Sequence, residues 1–210
     1  MNGVFISFEG SEGCGKTTQI ERLEQRLIRM GRHVVVVREP GGTAVGEEIR
    51  NLLKFSKANR LLTPESELLL FAASRAQLVR EVIRPELDRG TVILCDRFLD
   101  STTAYQGVAR RIPAEDVYDI NTFAVDGCLP QLTLYLDLDP AIGFQRARRR
   151  PAPVGVVDRM EQEPLEFYEK VRAGYLELVR AHPRRIKLVD ASPSLETVEA
   201  ALWEIVKPVL

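Results

Sequence analysis

The loop GSEGCGKT at residues 10–17 constrains the fold more than any other feature of the sequence. It matches the pattern G-x-x-x-x-G-K-[ST], in which a loop between a strand and a helix wraps backbone N–H groups around phosphates. Apolar residues 4–8 (VFISF) precede the loop, residues at helical spacing follow it as far as Gly31, and residues 34–37 (VVVV) form a second apolar run. This order predicts a βαβ unit that carries a phosphate-binding loop.

The side chains of this loop indicate how a nucleotide would be held. Lys16 supplies a positive charge, and the Thr17 hydroxyl can ligate Mg²⁺. A coincidental glycine turn is the alternative interpretation, and the flanking strand and helix disfavour it. The residues that we expect to bind the phosphates of a nucleoside triphosphate are Gly10, Ser11, Glu12, Gly13, Cys14, Gly15, Lys16, Thr17 and Thr18.

Apolar runs alternate with helical patterns along the rest of the chain. Residues 91–95 (TVILC), 132–136 (LTLYL) and 186–189 (IKLV) predict three further strands. Runs that are apolar on both faces are typical of a parallel sheet covered by helices. We therefore predict an α/β fold with a five-stranded parallel sheet and helices on both faces. It would form one domain over residues 1–210, with a short lid at about 148–163, where prolines and a glycine break the helical pattern.

The predicted helices have recognisable starts. Thr63 and Asp139 can each act as an N-cap before a proline at the first helical position. The first of these helices would continue through residues 65–87, and Ser194 would begin the last helix of the chain. The apolar stripe expected on that last helix is Leu195, Val198, Leu202, Ile205 and Val209.

The composition limits the classes of binding partner and the cellular compartment that we expect. A net charge of -1 gives no reason to expect a nucleic-acid or membrane partner. The longest apolar stretch falls short of the ~18 residues of a membrane span, and the first residues lack the pattern of a signal peptide. Three cysteines without a CxxC spacing are typical of reduced thiols, so we expect a soluble, cytoplasmic protein.

Asp96 and Arg97 follow the third predicted strand. In an open α/β sheet the carboxyl ends of the strands face the ligand crevice, so both side chains would lie near the phosphates. Asp96 could hold Mg²⁺ through water, and Arg97 could bind a transferred phosphoryl group. The alternative is an ordinary ion pair or helix cap at the end of a strand.

A run of arginines enters the predicted lid at Arg146, Arg148, Arg149 and Arg150, and Arg159 follows it. Arginines on a closing loop can neutralise charge in a transition state, whereas the alternative is a solvated helix face. The NKxD motif expected of a GTPase does not occur in the sequence.

Together these motifs resemble those of the bacterial thymidylate kinases, which make dTDP from dTMP and ATP. The resemblance covers nearly the whole chain and implies the P-loop nucleoside-monophosphate kinase fold. The strings that carry it are FEGSEGCGKTT at 8–18, REPGGT at 38–43, LLLFAASRAQ at 68–77, DRF at 96–98, STTAYQG at 101–107, LTLYLD at 132–137 and DRMEQE at 158–163.

The resemblance implies roles for residues that bind the base and the sugar. Phe71 would stack on the thymine ring, and Arg75, one helical turn later, would hydrogen-bond the base, with Thr102 at the base edge. Tyr105 and Gln106 would lie on the sugar side, where the tyrosine ring disfavours a ribose 2′-OH. Without the resemblance, Phe71 would be interpreted as a core residue and Arg75 as a surface charge.

The resemblance also implies how the acceptor phosphate is held. Arg50 and Arg97 match positions that bind the phosphate of dTMP, and Glu12 matches an acidic position near the sugar 3′-OH. The full set of implied dTMP-binding residues is Glu12, Arg38, Pro40, Arg50, Phe71, Arg75, Arg97, Ser101, Thr102, Tyr105 and Gln106.

The chain resembles the family type whose catalytic arginines lie in the lid, because residues 11–14 of the loop include no basic side chain. The implied catalytic residues are Lys16, Arg97, Arg146, Arg148, Arg150 and Glu12. The attacking oxygen of dTMP is already anionic at pH 7, so no general base is expected. We therefore interpret His33 and His182 as ordinary surface residues.

The implied cofactors are ATP and Mg²⁺, with Thr17 and Asp96 as metal ligands. The implied partners are the small molecules dTMP and ATP and a second copy of the chain, bound through helices beside the sheet. Two alternatives stay open. One is a P-loop kinase for another monophosphate or a deoxynucleoside, and the other is a nucleotide-binding regulator without phosphoryl transfer.

Overall fold

The computed structural model describes residues 3–148 and 159–210. Its five strands form one parallel sheet in the order β2-β3-β1-β4-β5. The strands are β1 Val4–Glu9, β2 Val34–Arg38, β3 Val92–Asp96, β4 Leu132–Asp137 and β5 Ile186–Asp190. The α-helices are α1 Lys16–Arg29, α2 Ala44–Lys54, α3 Pro64–Leu78, α4 Arg84–Asp88, α5 Leu99–Thr102, α6 Ala114–Val125, α7 Pro140–Arg148, α8 Leu165–Ala181 and α9 Leu195–Val206. Short 3₁₀ segments are Lys57–Leu61, Met160–Gln162 and Lys207–Val209, and π-helical segments are Val79–Ile83 and Thr103–Ala109.

The predicted parallel sheet with helices on both faces is confirmed. Side chains alternate along each strand, so Ile6 of β1 packs with α1 and α9 while Phe5 packs with α3 and the segment Val79–Ile83. These apolar groups form two buried clusters, one on each face of the sheet. The predicted fold class is therefore correct.

Each strand ends one residue later than the apolar pattern predicts, and the added residue is always charged. These residues are Glu9, Arg38, Asp96, Asp137 and Asp190. The ladder hydrogen bonds extend to the edge of the sheet, whereas the apolar pattern stops where the side chains begin to face the crevice. The carboxyl edge of the sheet thus carries a row of charges.

The predicted N-caps are present. The hydroxyls of Thr63 and Ser194 accept hydrogen bonds from the N–H groups of Ser66 and Thr197, and Asp139 Oδ1 accepts the N–H of Ala141 at 2.9 Å. These contacts satisfy N–H groups that lack a partner in the first helical turn.

Two helix predictions need correction. The helix that begins at Pro64 is not continuous through residue 87, because Pro85 lacks an N–H and its ring obstructs the carbonyl of residue 81. The chain passes through the π-helical segment Val79–Ile83 before α4.

The apolar stripe of α9 is also shorter than predicted. Leu195 and Val209 are 43% and 37% exposed, because Leu195 is the first residue of the helix and Val209 lies beyond its end. Val198, Leu202 and Val206 are the buried residues of this helix, and Ile205 packs beside them.

His33 and His182 are exposed, as predicted for surface residues. Among the residues that the structure describes, no helix combines the length and the apolar character needed to cross a membrane.

Candidate active site

The loop between β1 and α1 forms a cradle of main-chain groups. Gly10, Gly13 and Gly15 all have positive φ, and a Cβ on Gly13 would lie 2.2 Å from the carbonyl oxygen of Gly143. The buried Lys16 donates through Nζ to the carbonyl oxygens of Gly10 at 2.9 Å and Ser11 at 3.1 Å. The predicted phosphate cation is thus positioned by backbone of the same loop.

Thr17 and Asp96 line one crevice beside this loop, together with Arg38. The Oδ1 atom of Asp96 is buried and has no hydrogen-bond partner among the described residues. A carboxylate oxygen and a hydroxyl are ligands that suit Mg²⁺, which usually takes only one or two protein ligands beside phosphates and water. The donor set therefore fits the predicted metal.

A second opening, which we call the Arg97 cleft, lies next to the loop and has an empty volume of about 380 Å³. Its lining residues are Glu12, Glu39, Pro40, Lys54, Phe71, Arg97, Ser101, Thr102, Tyr105, Gln106 and Met160. Eight of these are residues predicted to bind the acceptor, and Glu39, Lys54 and Met160 are additional. The ends of strands, the helices α2, α3 and α5, the π-helical segment Thr103–Ala109 and the 3₁₀ segment Met160–Gln162 contribute these residues.

Arg97 lines this cleft and has a left-handed backbone conformation, φ 69°. Its Nη2 donates to Glu12 Oε1 at 2.8 Å, and its Nη1 donates to Ser101 Oγ at 3.2 Å. The hydroxyl of Tyr105 donates to the other oxygen of Glu12 at 3.2 Å. Burial alone would raise the pKa of Glu12, but the charges of Arg97 and Lys16 outweigh it and lower the pKa.

Arg75 lies behind the wall of the cleft and is 1% exposed, so its interpretation as a surface charge is wrong. Its guanidinium pairs with Glu39, with Nη2 to Oε2 at 2.6 Å and Nε to Oε2 at 2.9 Å. It also donates to Asn121 Oδ1 at 2.7 Å and to Thr102 Oγ1 at 2.9 Å. Phe71, one turn earlier on α3, is half-buried and lines the cleft, so it is not a core residue.

Gln106 and the buried carboxylate of Glu67 form another part of the wall. Gln106 Nε2 donates to Glu67 Oε1 at 2.7 Å. Arg110 and Arg159 also pair with Glu67, so this carboxylate connects α3 with the end of the π-helical segment Thr103–Ala109 and with the start of the 3₁₀ segment Met160–Gln162. Arg159 therefore pairs with a carboxylate here, rather than facing the cleft.

Besides Arg75 and Arg159, three predicted arginines of the described part lie outside the lining of the cleft. Arg38 pairs with Glu47 at 2.8 Å with about half of its side chain exposed. Arg50 donates to the carbonyl of Pro40 at 2.9 Å, and Arg146 donates to the carbonyl of Ala191 at 3.3 Å. Arg148 ends α7, and its side chain lies outside the described part, as do Arg149, Arg150 and the predicted lid up to residue 158.

Two buried carboxylates, Glu9 and Glu39, were missed by sequence reasoning. Each follows an apolar run at or just beyond the carboxyl end of a strand, and that position could have identified them. Burial, with the charge of Asp100 as the second cause, raises the pKa of Glu9 to about 7. Perturbed acids at the ligand edge of a sheet are candidates for a functional role.

Comparisons with known proteins agree with this geometry. The family profile described as thymidylate kinase matches residues 8–202. The chain is 44% identical to a thymidylate kinase of Thermoanaerobacter sp. (strain X514) over 210 residues, which is 100% of both chains. It is 50% identical to a thymidylate kinase of Syntrophotalea carbinolica over 201 residues, which is 95% of this chain and 93% of that one. For a thymidylate kinase of Deinococcus radiodurans the identity is 47% over 204 residues, 97% and 96% of the two chains. The cradle, the adjoining cleft and these similarities together show that the chain belongs to the thymidylate kinase family of nucleoside-monophosphate kinases.

Proposed function

We propose that this protein transfers the γ-phosphoryl group of ATP to dTMP, with the ATP phosphates on the loop at residues 10–17 and dTMP in the Arg97 cleft. The observation that supports this proposal most strongly is the position of Glu12. It belongs to the phosphate loop, yet its carboxylate accepts hydrogen bonds from Arg97 and Tyr105 of the cleft. A donor on the loop and an acceptor in the cleft would therefore meet across one side chain.

The acceptor would be recognised by the walls of the cleft. Phe71 offers a ring face for the base, and Arg75 with Thr102 offers polar groups for its edge. Tyr105 would crowd a ribose 2′-OH and so favour a deoxynucleotide. These roles are supported by the presence of Phe71, Thr102 and Tyr105 on the same cleft and by the hydrogen bond between Arg75 and Thr102.

The donor side would use Lys16 as its cation, because Nζ is already directed into the loop by two carbonyl oxygens. Thr17 and Asp96 would hold Mg²⁺, which when bound neutralises charge on the phosphates. The loop itself would contribute main-chain N–H groups at the start of α1, where a helix N-terminus favours anions.

The chemical step would need alignment and charge neutralisation rather than proton removal. A phosphate oxygen of dTMP is anionic at neutral pH and attacks directly, so the barrier comes from bringing two anions together. Arg97 would hold the acceptor phosphate and Lys16 the donor phosphates. Arg146, Arg148 and Arg150 stay predictions for further cations near the transferred group.

We also propose a homodimer. On α3 and α6, which pack together, Leu69, Tyr118 and Phe123 are 55%, 70% and 79% exposed. Large apolar side chains at such exposure favour a protein interface. Sedimentation velocity should give a dimer for the wild type and a monomer for Phe123→Glu. The matched control Ile28→Glu, on α1 against the opposite face of the sheet, should stay dimeric.

We also propose that the protein is located in the cytoplasm. It is supported by Cys14, Cys95 and Cys128, all of which are free thiols. Free thiols are typical of a reducing compartment.

The function is tested by measuring ADP formation with Mg·ATP and each of dTMP, dUMP, dCMP, dGMP and AMP. We expect the highest kcat/KM with dTMP. Equal or greater use of another monophosphate would identify a different kinase. Binding of ATP without acceptor-dependent ADP formation would identify a nucleotide-binding regulator and contradict the proposal.

A further inference from the structure

Glu9 is a fully buried carboxylate that none of the roles proposed above uses. It is the last residue of β1, directly before the phosphate loop, and its exposure is 0%. A buried carboxylate is costly to maintain unless its hydrogen bonds are satisfied. Its partners therefore indicate what it does.

One oxygen of Glu9 fixes the backbone around Arg97. Oε1 accepts the N–H of Phe98 at 2.7 Å, while the N–H of Arg97 donates to the carbonyl of Phe8 at 2.9 Å. Arg97 has φ 69°, which is an unfavourable region for a residue with a Cβ. The end of β1 thus holds the peptide groups on both sides of this left-handed residue.

The other oxygen of Glu9 orients two hydroxyls beside the guanidinium. Oε2 accepts from Ser101 Oγ at 2.6 Å and from Tyr175 OH at 2.7 Å, and the two hydroxyl oxygens are 2.8 Å apart. Arg97 Nη1 lies 3.2 Å from Ser101 Oγ and 3.5 Å from Tyr175 OH. When both O–H groups point at Glu9, both oxygens keep lone pairs for Arg97, which has no acceptor capacity of its own.

We propose that Glu9 is a positioning residue for the acceptor phosphate: its ionised carboxylate holds the backbone of Arg97 and turns two hydroxyls so that they fix the guanidinium in the cleft. The inference rests on the proposed function, in which Arg97 binds the phosphate of dTMP. Glu9 acts through Arg97 and the hydroxyl of Ser101, because it does not itself line the cleft.

The charged and titratable groups around Glu9 make its ionisation accessible near neutral pH. Burial and the charge of Asp100 of α5 raise its pKa, whereas the hydroxyl of Ser101, the charge of Arg97 and the hydroxyl of Tyr175 on α8 lower it. Arg185 is the other charged neighbour of this region, and its guanidinium pairs with Asp100 at 2.6 Å. A protonated Glu9 would donate a hydrogen bond itself, so the proton of the hydroxyl that accepts it would have to turn to the other hydroxyl or toward the guanidinium.

The test is Glu9→Gln in the full chain, with dTMP binding followed by calorimetry and the KM values for dTMP and ATP by ADP formation. The amide can still accept the N–H of Phe98, but its NH₂ group would donate to the hydroxyls and reverse them. The substitution changes hydrogen bonds to a charged group, so we expect the Kd and the KM for dTMP to rise about tenfold to a hundredfold. We expect the KM for ATP to stay within about twofold, because Lys16 depends on backbone carbonyls.

Asp100→Asn is the matched control. Asp100 is a second buried carboxylate in this region, yet within the described part of the chain it accepts hydrogen bonds from Arg185 and Thr133 and not from Arg97. We expect this variant to lower the Tm and, at a pH above the pKa of Glu9, where Glu9 is ionised with or without the charge of Asp100, to leave the dTMP constants unchanged. Tyr175→Phe is a smaller change that keeps the ring stacked on Tyr135 at 4.7 Å. It should weaken dTMP binding in the same direction and less than Glu9→Gln.

The outcomes separate the two proposals. Unchanged dTMP binding in folded Glu9→Gln, or equal losses for dTMP and ATP, overturns the role of Glu9. If Glu9→Gln does not fold, Tyr175→Phe decides, and unchanged dTMP binding in that variant overturns the role. A wild type that binds dTMP but forms no dTMP-dependent ADP contradicts the proposed function instead, and the calorimetric comparison still decides the role of Glu9.

Discussion

The phosphate loop and the Arg97 cleft hold their cations in different ways. In the loop, Lys16 is positioned by the main-chain carbonyls of Gly10 and Ser11, within six residues along the chain. In the cleft and behind its wall, Arg97 and Arg75 are positioned by carboxylates, Glu12 and Glu39, that lie 85 and 36 positions away. A cradle built from backbone needs a local sequence pattern, whereas a site built from ion pairs needs the whole sheet.

The largest effect is expected for a substitution that impairs the phosphate loop and leaves the cleft intact. Lys16→Ala removes the cation next to the transferred group, and the loss of one such stabilising group costs about a hundredfold to a thousandfold in kcat. We expect kcat for ADP formation to fall by that amount. Lys207→Ala, an exposed lysine paired with Glu204 near the last helix, should leave kcat unchanged. A kcat for Lys16→Ala within about tenfold of the wild type would show that the loop does not depend on this cation.

The next largest effect is expected for a substitution that impairs dTMP binding in the cleft and leaves the phosphate loop intact. Arg75→Ala leaves Glu39 buried without its cation, and breaking a buried pair in this way costs about 3–5 kcal/mol of stability. We expect dTMP to bind at least about tenfold more weakly, because hydrogen bonds to a charged group are lost, while ATP binding is unchanged. Denaturant unfolding and calorimetry measure both effects. Equal losses for the two nucleotides would refute the base-reading role of Arg75.

Arg22→Ala is the control for this loss of stability. Arg22 is partly exposed and pairs with Glu199 at 2.8 Å and with Glu196 at 3.1 Å. Because such surface pairs contribute little, the free energy of unfolding should fall much less than in Arg75→Ala.

A moderate effect concerns the stability of the carboxyl edge. Burial and the charge of Asp100 raise the pKa of Glu9 from 4.5 to about 7, so between these pH values the folded state binds more protons than the unfolded state. The contribution of Glu9 to stability is therefore greatest below about pH 4.5 and is lost as pH rises through about 7. Urea unfolding of wild type and Glu9→Gln at a series of pH values measures it. The wild type should lose stability relative to the variant across this window, and a constant difference would contradict the shift.

The smallest effect is expected for Arg38. Its pair with Glu47 is about half exposed, and such pairs contribute no more than about 1 kcal/mol. Arg38→Ala should therefore lower the free energy of unfolding by less than this amount and raise the KM for dTMP less than Arg75→Ala does. A larger rise in KM would assign Arg38 to the acceptor site despite its position outside the lining of the cleft.

The same contrast explains what could be predicted from the sequence. The phosphate loop, the strands and the helix caps depend on neighbouring residues, and local patterns identified them. The burial of Arg75 depends on Glu39 and Asn121, which lie on other elements, so the residue alone suggested a surface charge. Only the resemblance to a family indicated its role at the base.

Glu9 illustrates a second limit. The apolar pattern that predicts β1 stops at Phe8, because the next side chain is a carboxylate with polar partners at the carboxyl edge of the sheet. Its partners, Phe98, Ser101 and Tyr175, come from β3, α5 and α8 or the loops beside them, and no spacing in the sequence connects them. The charged residue that ends each strand is the signal that could have identified this site.

The central claim is that donor and acceptor have separate cations on either side of Glu12. Calorimetric titration of dTMP into wild type, Lys16→Ala and Arg97→Ala tests it most directly. Arg97 binds the acceptor phosphate in this account, so Arg97→Ala should bind dTMP at least about tenfold more weakly, while Lys16→Ala should bind it within about threefold of the wild type. Equal weakening in both variants, or a loss confined to Lys16→Ala, would contradict the account.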